Sequence, residues 1–298
     1  MPELPEVTNI VFGLNDNLKN LTIEDVWTDW PKIIKNPKFD IFRNEVIGKK
    51  ILNSERVGKN ILMHLSDEKT ILFHMKMTGH LLYGKWNKEN SGKFPWKTEV
   101  PGPLSDPYNR FIHLMFNLSN GKQLAMSDVR KFGKVVLFNE GEELSSKDLK
   151  DLGPDPMSKD FIYKKFKESI NKKENGKIKQ VLMDQEIISG IGNIYSDEVL
   201  WEAEVHPMEK VKNIPENKLK KIFESTKAIL KKSIEMGGDS MSDFRNINGE
   251  KGGFQECHKA YRRKGEICPK RGCGGFINRI KVGGRSAHFC ETHQKLNN

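Results

Sequence analysis

The chain has 298 residues, 30% of them charged, with 50 Lys+Arg against 40 Asp+Glu and a formal net charge of +10. That length suits two domains with real cores. No apolar run reaches transmembrane length and no signal peptide is visible, which excludes a membrane-spanning chain, and four cysteines confined to the last 42 residues suit a reducing cytoplasm or nucleoid.

The first segment reads Met-Pro-Glu-Leu-Pro-Glu-Val. Removal of Met1 leaves Pro2 as a free secondary amine, and α-amino groups titrate near pKa ~8 without any burial. Such an amine can attack an electrophilic sugar carbon and form an iminium, the logic of Schiff-base nucleophiles. The carboxyl of Glu3 beside it can move protons at the same centre. Taken alone, a proline after an initiator methionine means nothing; its meaning depends on the rest of the chain.

A helix is predicted from about Pro5 to Leu18. Short apolar runs then follow, among them 60–65, 70–74, 111–118 and 134–138, broken by Gly, Asn and Asp. Their length and turn residues predict an antiparallel β-sandwich or barrel. The stretch Gly84–Pro107 mixes Trp, Pro, Gly and Lys and reads as a long surface loop. A polar, acidic linker, 139–156, leads to helical spacing over 158–236. Within it, Ser189-Gly-Ile-Gly-Asn-Ile-Tyr195 ends one helix and starts another, and a fresh helix N-terminus presents N–H groups suited to phosphate. Residues 237–256 are Gly- and Asn-rich with few apolar anchors and are expected to be mobile.

From Cys257 to the end, ten Lys/Arg face two acids, so the tail carries +8 of the +10. A compact basic region is the footprint of a polyanion binder. Cys268-x4-Cys273 and Cys290-x2-His293 form two ligand pairs of the kind tetrahedral Zn²⁺ takes, and so small a domain has little core without it. Cys257 and His258 are near enough to compete, though they precede Tyr261–Gly265, which reads as a strand entering the finger. The residues between the pairs predict a β-hairpin with Arg285 at its tip.

Together these features resemble the formamidopyrimidine-DNA glycosylase / endonuclease VIII family of base-excision repair enzymes. The landmarks are the N-terminal heptapeptide, Gly58-Lys59, His74-Met-Lys-Met-Thr-Gly79, Asp128-Val-Arg-Lys-Phe-Gly133, Ile188–Tyr195 and the terminal hairpin with Arg285. The match runs nearly end to end, with 84–107 the least alignable part, and Leu4 is of the formamidopyrimidine type. The resemblance implies an α+β fold: an N-terminal antiparallel β-sandwich over 1–138, a linker over 139–156, a helix-two-turns-helix domain over 157–256 with a lesion loop, and a zinc-finger β-hairpin over 257–298. It also implies a bifunctional DNA glycosylase and abasic-site lyase acting, as a monomer, on double-stranded DNA with oxidised bases or abasic sites. Pro2 would attack C1′ and drive β,δ-elimination, Glu3 would protonate the sugar ring oxygen, and Lys59 would contact phosphate and assist. Glu6 would support proton transfer or orient the lesion, or serve only as a helix-N-terminal acid.

The target nucleotide must leave the duplex stack, which costs a few kcal/mol of unstacking. Met77, Arg130 and Phe132 match the family's plug, hydrogen-bonding arm and aromatic wedge for the vacated space. Arg130 and Phe132, at i and i+2, would project to one side. Lys179, Asn193 and Arg285 match phosphate-gripping positions, and His74 and His113 match positions near the DNA backbone. Two departures stand out. The finger has four residues inside its first pair and His293 as last ligand, and Gln180 replaces a usual proline. The loop 237–254 resembles that of the branch acting on oxidised purines (8-oxoguanine, formamidopyrimidines), which the resemblance therefore implies as substrates; an oxidised-pyrimidine glycosylase and a non-catalytic zinc-dependent DNA binder are the alternatives.

Overall fold

The computed structural model describes residues 2–89 and 94–296; Met1, whose removal is expected to free Pro2, lies outside them, as do 90–93 of the 84–107 stretch and 297–298. The chain divides into two compact units, Met1–Lys150 with Met236–Gly253, and Asp151–Glu235 with Phe254–Asn298. No helix among the described residues is long and apolar enough to cross a membrane.

The first unit opens with α1 (Leu4–Leu18), whose Val7, Ile10, Leu14 and Leu18 follow the helical period and are buried. It continues through β1 (Ile23–Thr28), β2 (Ile34–Asn36), α2 (Phe39–Val46), β3 (Ile51–Val57), β4 (Asn60–Leu65), β5 (Lys69–His74), β6 (Gly79–Gly84), β7 (Trp86–Lys88), β8 (Trp96–Thr98), β9 (Ile112–Leu118), β10 (Gln123–Asp128) and β11 (Lys134–Asn139). Two sheets result, ordered β1-β9-β10-β6 and β2-β11-β5-β4-β3. Alternate residues (Ile61, Met63 and Leu65; Leu114, Phe116 and Leu118; Leu124 and Met126) point into one core shared with α1, as a period of two requires. The expected sandwich is present with one amendment. The edge strand β2 pairs parallel to β11.

The other face of the four-stranded sheet is apolar too. Leu82, Trp86, Ile112, Met115 and Ala125 form a second cluster with Trp27, Trp96 and Leu104. Covering it takes backbone, so the stretch predicted as a surface loop instead folds into the β7–β8 hairpin, followed by 3-10 turns at Pro103–Ser105 and Pro107–Arg110. Residues 236–253, expected with the helices, belong to this first unit because Phe244 and Ile247 enter its core. Two anchors in a polar segment suffice.

The second unit holds α3 (Tyr163–Asn171), α4 (Ile178–Met183), α5 (Asn193–Ala203) and α6 (Glu216–Glu235), then the hairpin β12 (Ile277–Val282) and β13 (Arg285–Cys290). Two turns separate α4 from α5. Gln185 fixes them by donating to the carbonyls of Met183 and Ile191 and accepting from Gly190 N–H, all at 2.8–2.9 Å. Residues 261–265, predicted as a strand, are turns, with Arg262 at φ +60°.

Glu204 closes α5 in the left-handed region, at φ +57°. Its carboxylate takes Lys218 at 2.7 Å and Lys221 at 3.0 Å from α6, and Lys270 from the finger. Hydrogen bonds from Lys218 and Lys270 hold it well below the usual carboxylate range, against partial burial and with Lys221 adding. A depressed folded-state pKa contributes stability above the unfolded value of ~4.3 and loses it as pH falls. Glu204→Ala is therefore expected to lower the melting temperature by about 2–4 °C at neutral pH. In melts at pH 3 the difference should shrink; a penalty that grows in acid would contradict the assignment.

Candidate active site and metal centre

In the first unit the N-terminal residues are buried, with Glu3 and Glu6 each 1% exposed. Glu3 is the N-cap of α1 and forms a reciprocal capping box with Glu6, and a proline follows in the first turn, where a missing N–H costs nothing. Glu6 accepts the Glu3 N–H at 2.7 Å on one oxygen and the Asp239 N–H at 2.7 Å on the other. The residue with two open readings thus fixes the backbone beside Pro2 and ties it to the 236–253 segment.

Lys59 sits in the two-residue turn between β3 and β4, where Gly58 takes φ +61°, and it is 8% exposed. The helix α1 packs on this same hairpin, pinned where Asn15 exchanges hydrogen bonds with Ser54 at 2.8 and 2.6 Å. His74 ends β5 opposite Asn60 and Lys134, so the sheet register brings it to the Lys59 turn. Its Nδ1 accepts the Lys76 N–H at 2.9 Å. Burial, with the charges of Lys76, Lys134 and Lys59, pushes the ring down to about 3. His74 is therefore a neutral hydrogen-bonding group beside lysines, not a cation. His113 lies on β9 of the other sheet, with Nδ1 2.8 Å from the Asp29 carboxylate.

Met77, Arg130 and Phe132 do come together. The Arg130 guanidinium is 3.0 Å from Met77 Sδ and stacks 4.6 Å from the Phe132 ring centre. Their two loops are held by Asp128, which no sequence motif singled out as functional. Its buried carboxylate accepts the Thr78 hydroxyl, the Arg130 N–H at 3.2 Å and the Gly133 N–H at 2.7 Å. The signal was available: Leu124, Met126 and Asp128 share the inward alternation of β10, and a charge there needs partners.

In the second unit Lys179, expected at a phosphate-gripping position, does not reach the surface. It is fully buried, and its ammonium donates to Asp197 at 2.5 Å, Ser196 Oγ at 3.2 Å and the Asn193 carbonyl at 3.4 Å. Ile178, Lys179, Val181 and Leu182 all turn inward on the short helix α4, so this cation is neutralised internally. Asp197 also takes the His288 N–H and Nδ1, each at 2.9 Å, and Glu198 accepts the N–H groups of Lys259, Ala260 and Tyr261 at 2.8–3.0 Å. Two adjacent acids of the buried helix α5 thus mount the C-terminal region, Asp197 holding β13 and Glu198 the turn at 259–261. Asn193 is the first residue of α5, half-buried. Arg285 is exposed just past the Gly283-Gly284 turn, where both glycines take positive φ.

Cys268, Cys273, Cys290 and His293 bring four ligand atoms within 4.8 Å of one another. Sγ273 lies 3.5 Å from Sγ290 and 3.3 Å from His293 Nδ1, and Sγ268 lies 3.7 Å from that nitrogen. The edges of a tetrahedron with Zn–S of 2.3 Å and Zn–N of 2.0–2.1 Å are about 3.5–3.8 Å. The donor set fits a four-coordinate cation, and Cys257 and His258 stand outside it.

Against known proteins, residues 1–135 match the formamidopyrimidine-DNA glycosylase N-terminal domain and residues 152–245 its H2TH domain. A formamidopyrimidine-DNA glycosylase of Pelotomaculum thermopropionicum is 35% identical over 296 residues, 99% of this chain and 100% of its own. One of Bacillus subtilis (strain 168) is 36% identical over 292 residues, 97% and 98%. Among solved structures, the Lactococcus lactis Fpg in complex with abasic-site-containing DNA superposes with a TM-score of 0.84 at 30% identity, covering 98% of this chain and 99% of that one. MutM with carbocyclic 8-oxo-G containing DNA gives 0.83 at 31%, covering 99% and 100%. Matched in both domains and end to end, the chain belongs to the formamidopyrimidine-DNA glycosylase family.

Proposed function

We propose that the chain is a monomeric, bifunctional DNA glycosylase and abasic-site lyase that removes oxidised purines, working on the chromosome in the cytoplasm. The observation that carries this reading is the N-terminus. Pro2 and Glu3 are buried at the start of α1, and the Glu6 carboxylate fixes their backbone. A DNA-binding protein has no need of a buried amine–carboxyl pair, whereas covalent catalysis at C1′ needs one held still.

In this reading the Pro2 amine attacks C1′, the base leaves, and the iminium proceeds through β- and δ-elimination. Glu3 gives the ring-opening proton, and Lys59 with neutral His74 holds the neighbouring phosphate. Met77, Arg130 and Phe132 fill the gap left by the flipped nucleotide, with Asp128 and Thr78 as positioning residues. Arg285 and Asn193 grip phosphate; Lys179 instead supports them through Asp197. One Zn²⁺ on Cys268, Cys273, Cys290 and His293 would hold the finger that carries Arg285.

Duplexes carrying 8-oxoguanine opposite each base, a formamidopyrimidine, thymine glycol or an abasic site separate the readings. Excision of the purine lesions with cleavage at the abasic site is expected. Preference for thymine glycol would move the substrate class to oxidised pyrimidines, and tight binding with no cleavage would remove the catalytic reading.

A further inference from the structure

Residues 236–253 leave α6 and return on themselves. The Gly253 N–H donates to the Met236 carbonyl at 2.8 Å and the Gly252 N–H to Ser240 Oγ at 2.8 Å. A Cβ on Gly252 would lie 2.2 Å from the Gly238 carbonyl, so the two arms touch. The incoming arm rests on Glu6 through the Asp239 N–H. The outgoing arm has other partners. Ile247 accepts the Tyr83 N–H at 2.7 Å, and its side chain occupies the space a Cβ on Gly13 would take. Arg245 is 1% exposed. Its Nε and Nη2 donate to one oxygen of Asp106 at 3.0 and 2.9 Å, its Nη1 to the carbonyls of Ser242 and Phe244 at 3.1 and 2.7 Å, and it stacks 4.9 Å from the Tyr108 ring.

The backbone approach is as close. Gly249 has φ +83°, and a Cβ there would stand 2.8 Å from Asn109 Nδ2, the Leu104 nitrogen and the Pro103 carbonyl carbon. Asn109 in turn donates to the Pro103 carbonyl at 2.9 Å and pairs with His80 Nε2 at 2.9 Å. A buried guanidinium is tolerated only when its donors are placed. Here Asp106, at the end of the stretch 84–107 read as a surface loop, takes Nε and Nη2, and the segment's own carbonyls at Ser242 and Phe244 take Nη1.

We infer that residues 102–110 brace the outgoing arm of the 236–253 segment, and that the Arg245–Asp106 pair is a positioning element for base selection. The inference rests on the reading of that segment as the lesion-facing loop of the Pro2 site. Its incoming arm already sits on the carboxylate that fixes Glu3. An abasic site presents no base, so its cleavage draws nothing from the outgoing arm. Excision needs the modified base held while its bond to C1′ breaks, and a misplacement of about 1 Å costs about 10²-fold.

The test compares single-turnover excision of 8-oxoguanine with cleavage of an abasic duplex. Arg245→Met is expected to lower excision about tenfold to a hundredfold while abasic-site cleavage stays within about twofold. Asp106→Asn should act in the same direction, and Arg245→Lys should recover part of the loss. An unchanged ratio, or equal loss on both substrates, overturns the inference. Should the variants fail to fold, amide exchange of 244–250 in the native chain decides: protection like that of β9 and β10 supports the brace, and exchange as fast as an exposed turn refutes it. If the native chain acts on neither duplex, the reading of the Pro2 site fails instead, while the exchange result still judges the brace.

Discussion

A preparation that retains Met1 is expected to be inert on lesion-containing DNA, while the processed chain forms a covalent adduct through Pro2. With Met1 attached, the Pro2 nitrogen is a tertiary amide whose lone pair is delocalised into the carbonyl, and it cannot form an iminium. Free, it is a secondary amine of pKa ~8, with about a tenth unprotonated at pH 7. Borohydride reduction during turnover, followed by peptide mapping, reads the outcome directly. Glu3→Gln should keep lesion binding but lose about 10²–10⁴-fold in base excision, the usual scale of a lost proton donor. A cross-link at Lys59, or efficient trapping by protein retaining Met1, would sink the assignment.

The second large effect is expected at the metal centre. Metal analysis should find one zinc per chain. Cys273→Ser or strong chelation should abolish duplex binding while the first unit stays folded. The hairpin β12–β13 has little core of its own: Ile277, Cys268, Cys290 and Ala260 cluster with Trp201 around the ligands. Structural zinc in comparable peptides contributes about 10–16 kcal/mol, far more than that burial. Arg285 and its neighbours Arg279 and Lys281 ride on this hairpin, so its collapse would remove the proposed phosphate contacts, the kind that dominate such affinity. Circular dichroism with a binding titration checks both halves. Retained binding in metal-free protein, or binding lost together with the first unit's fold, would overturn it.

Lys179 was matched to a phosphate-gripping position of the family, and the six-residue helix α4 presents it inward to Asp197. Glu6 was open between chemistry and capping, and the structure shows it holding the backbone N–H groups of Glu3 and Asp239. The Met77, Arg130 and Phe132 positions were legible through the family motifs; the alternation of β10 marked Asp128 as a buried charge in need of partners, but not that those partners would be Thr78, Arg130 and Gly133, which join the two loops.

Local pattern was enough for α1, the alternating strands, the Gly-Gly hairpin turn and the paired metal ligands, because period, turn chemistry and ligand spacing act over a few residues. The proposed chemistry of a free proline beside a carboxyl rests on an equally local pattern. Contacts across the chain settled the rest. The sheet order, the β7–β8 cover, the membership of 236–253 in the first unit, the burial of Lys179 and the joining of Arg245 to Asp106 all pair residues far apart in sequence. A buried charge must find a counter-charge and an apolar face must find a cover, and which partner meets either need is decided only when the chain has folded.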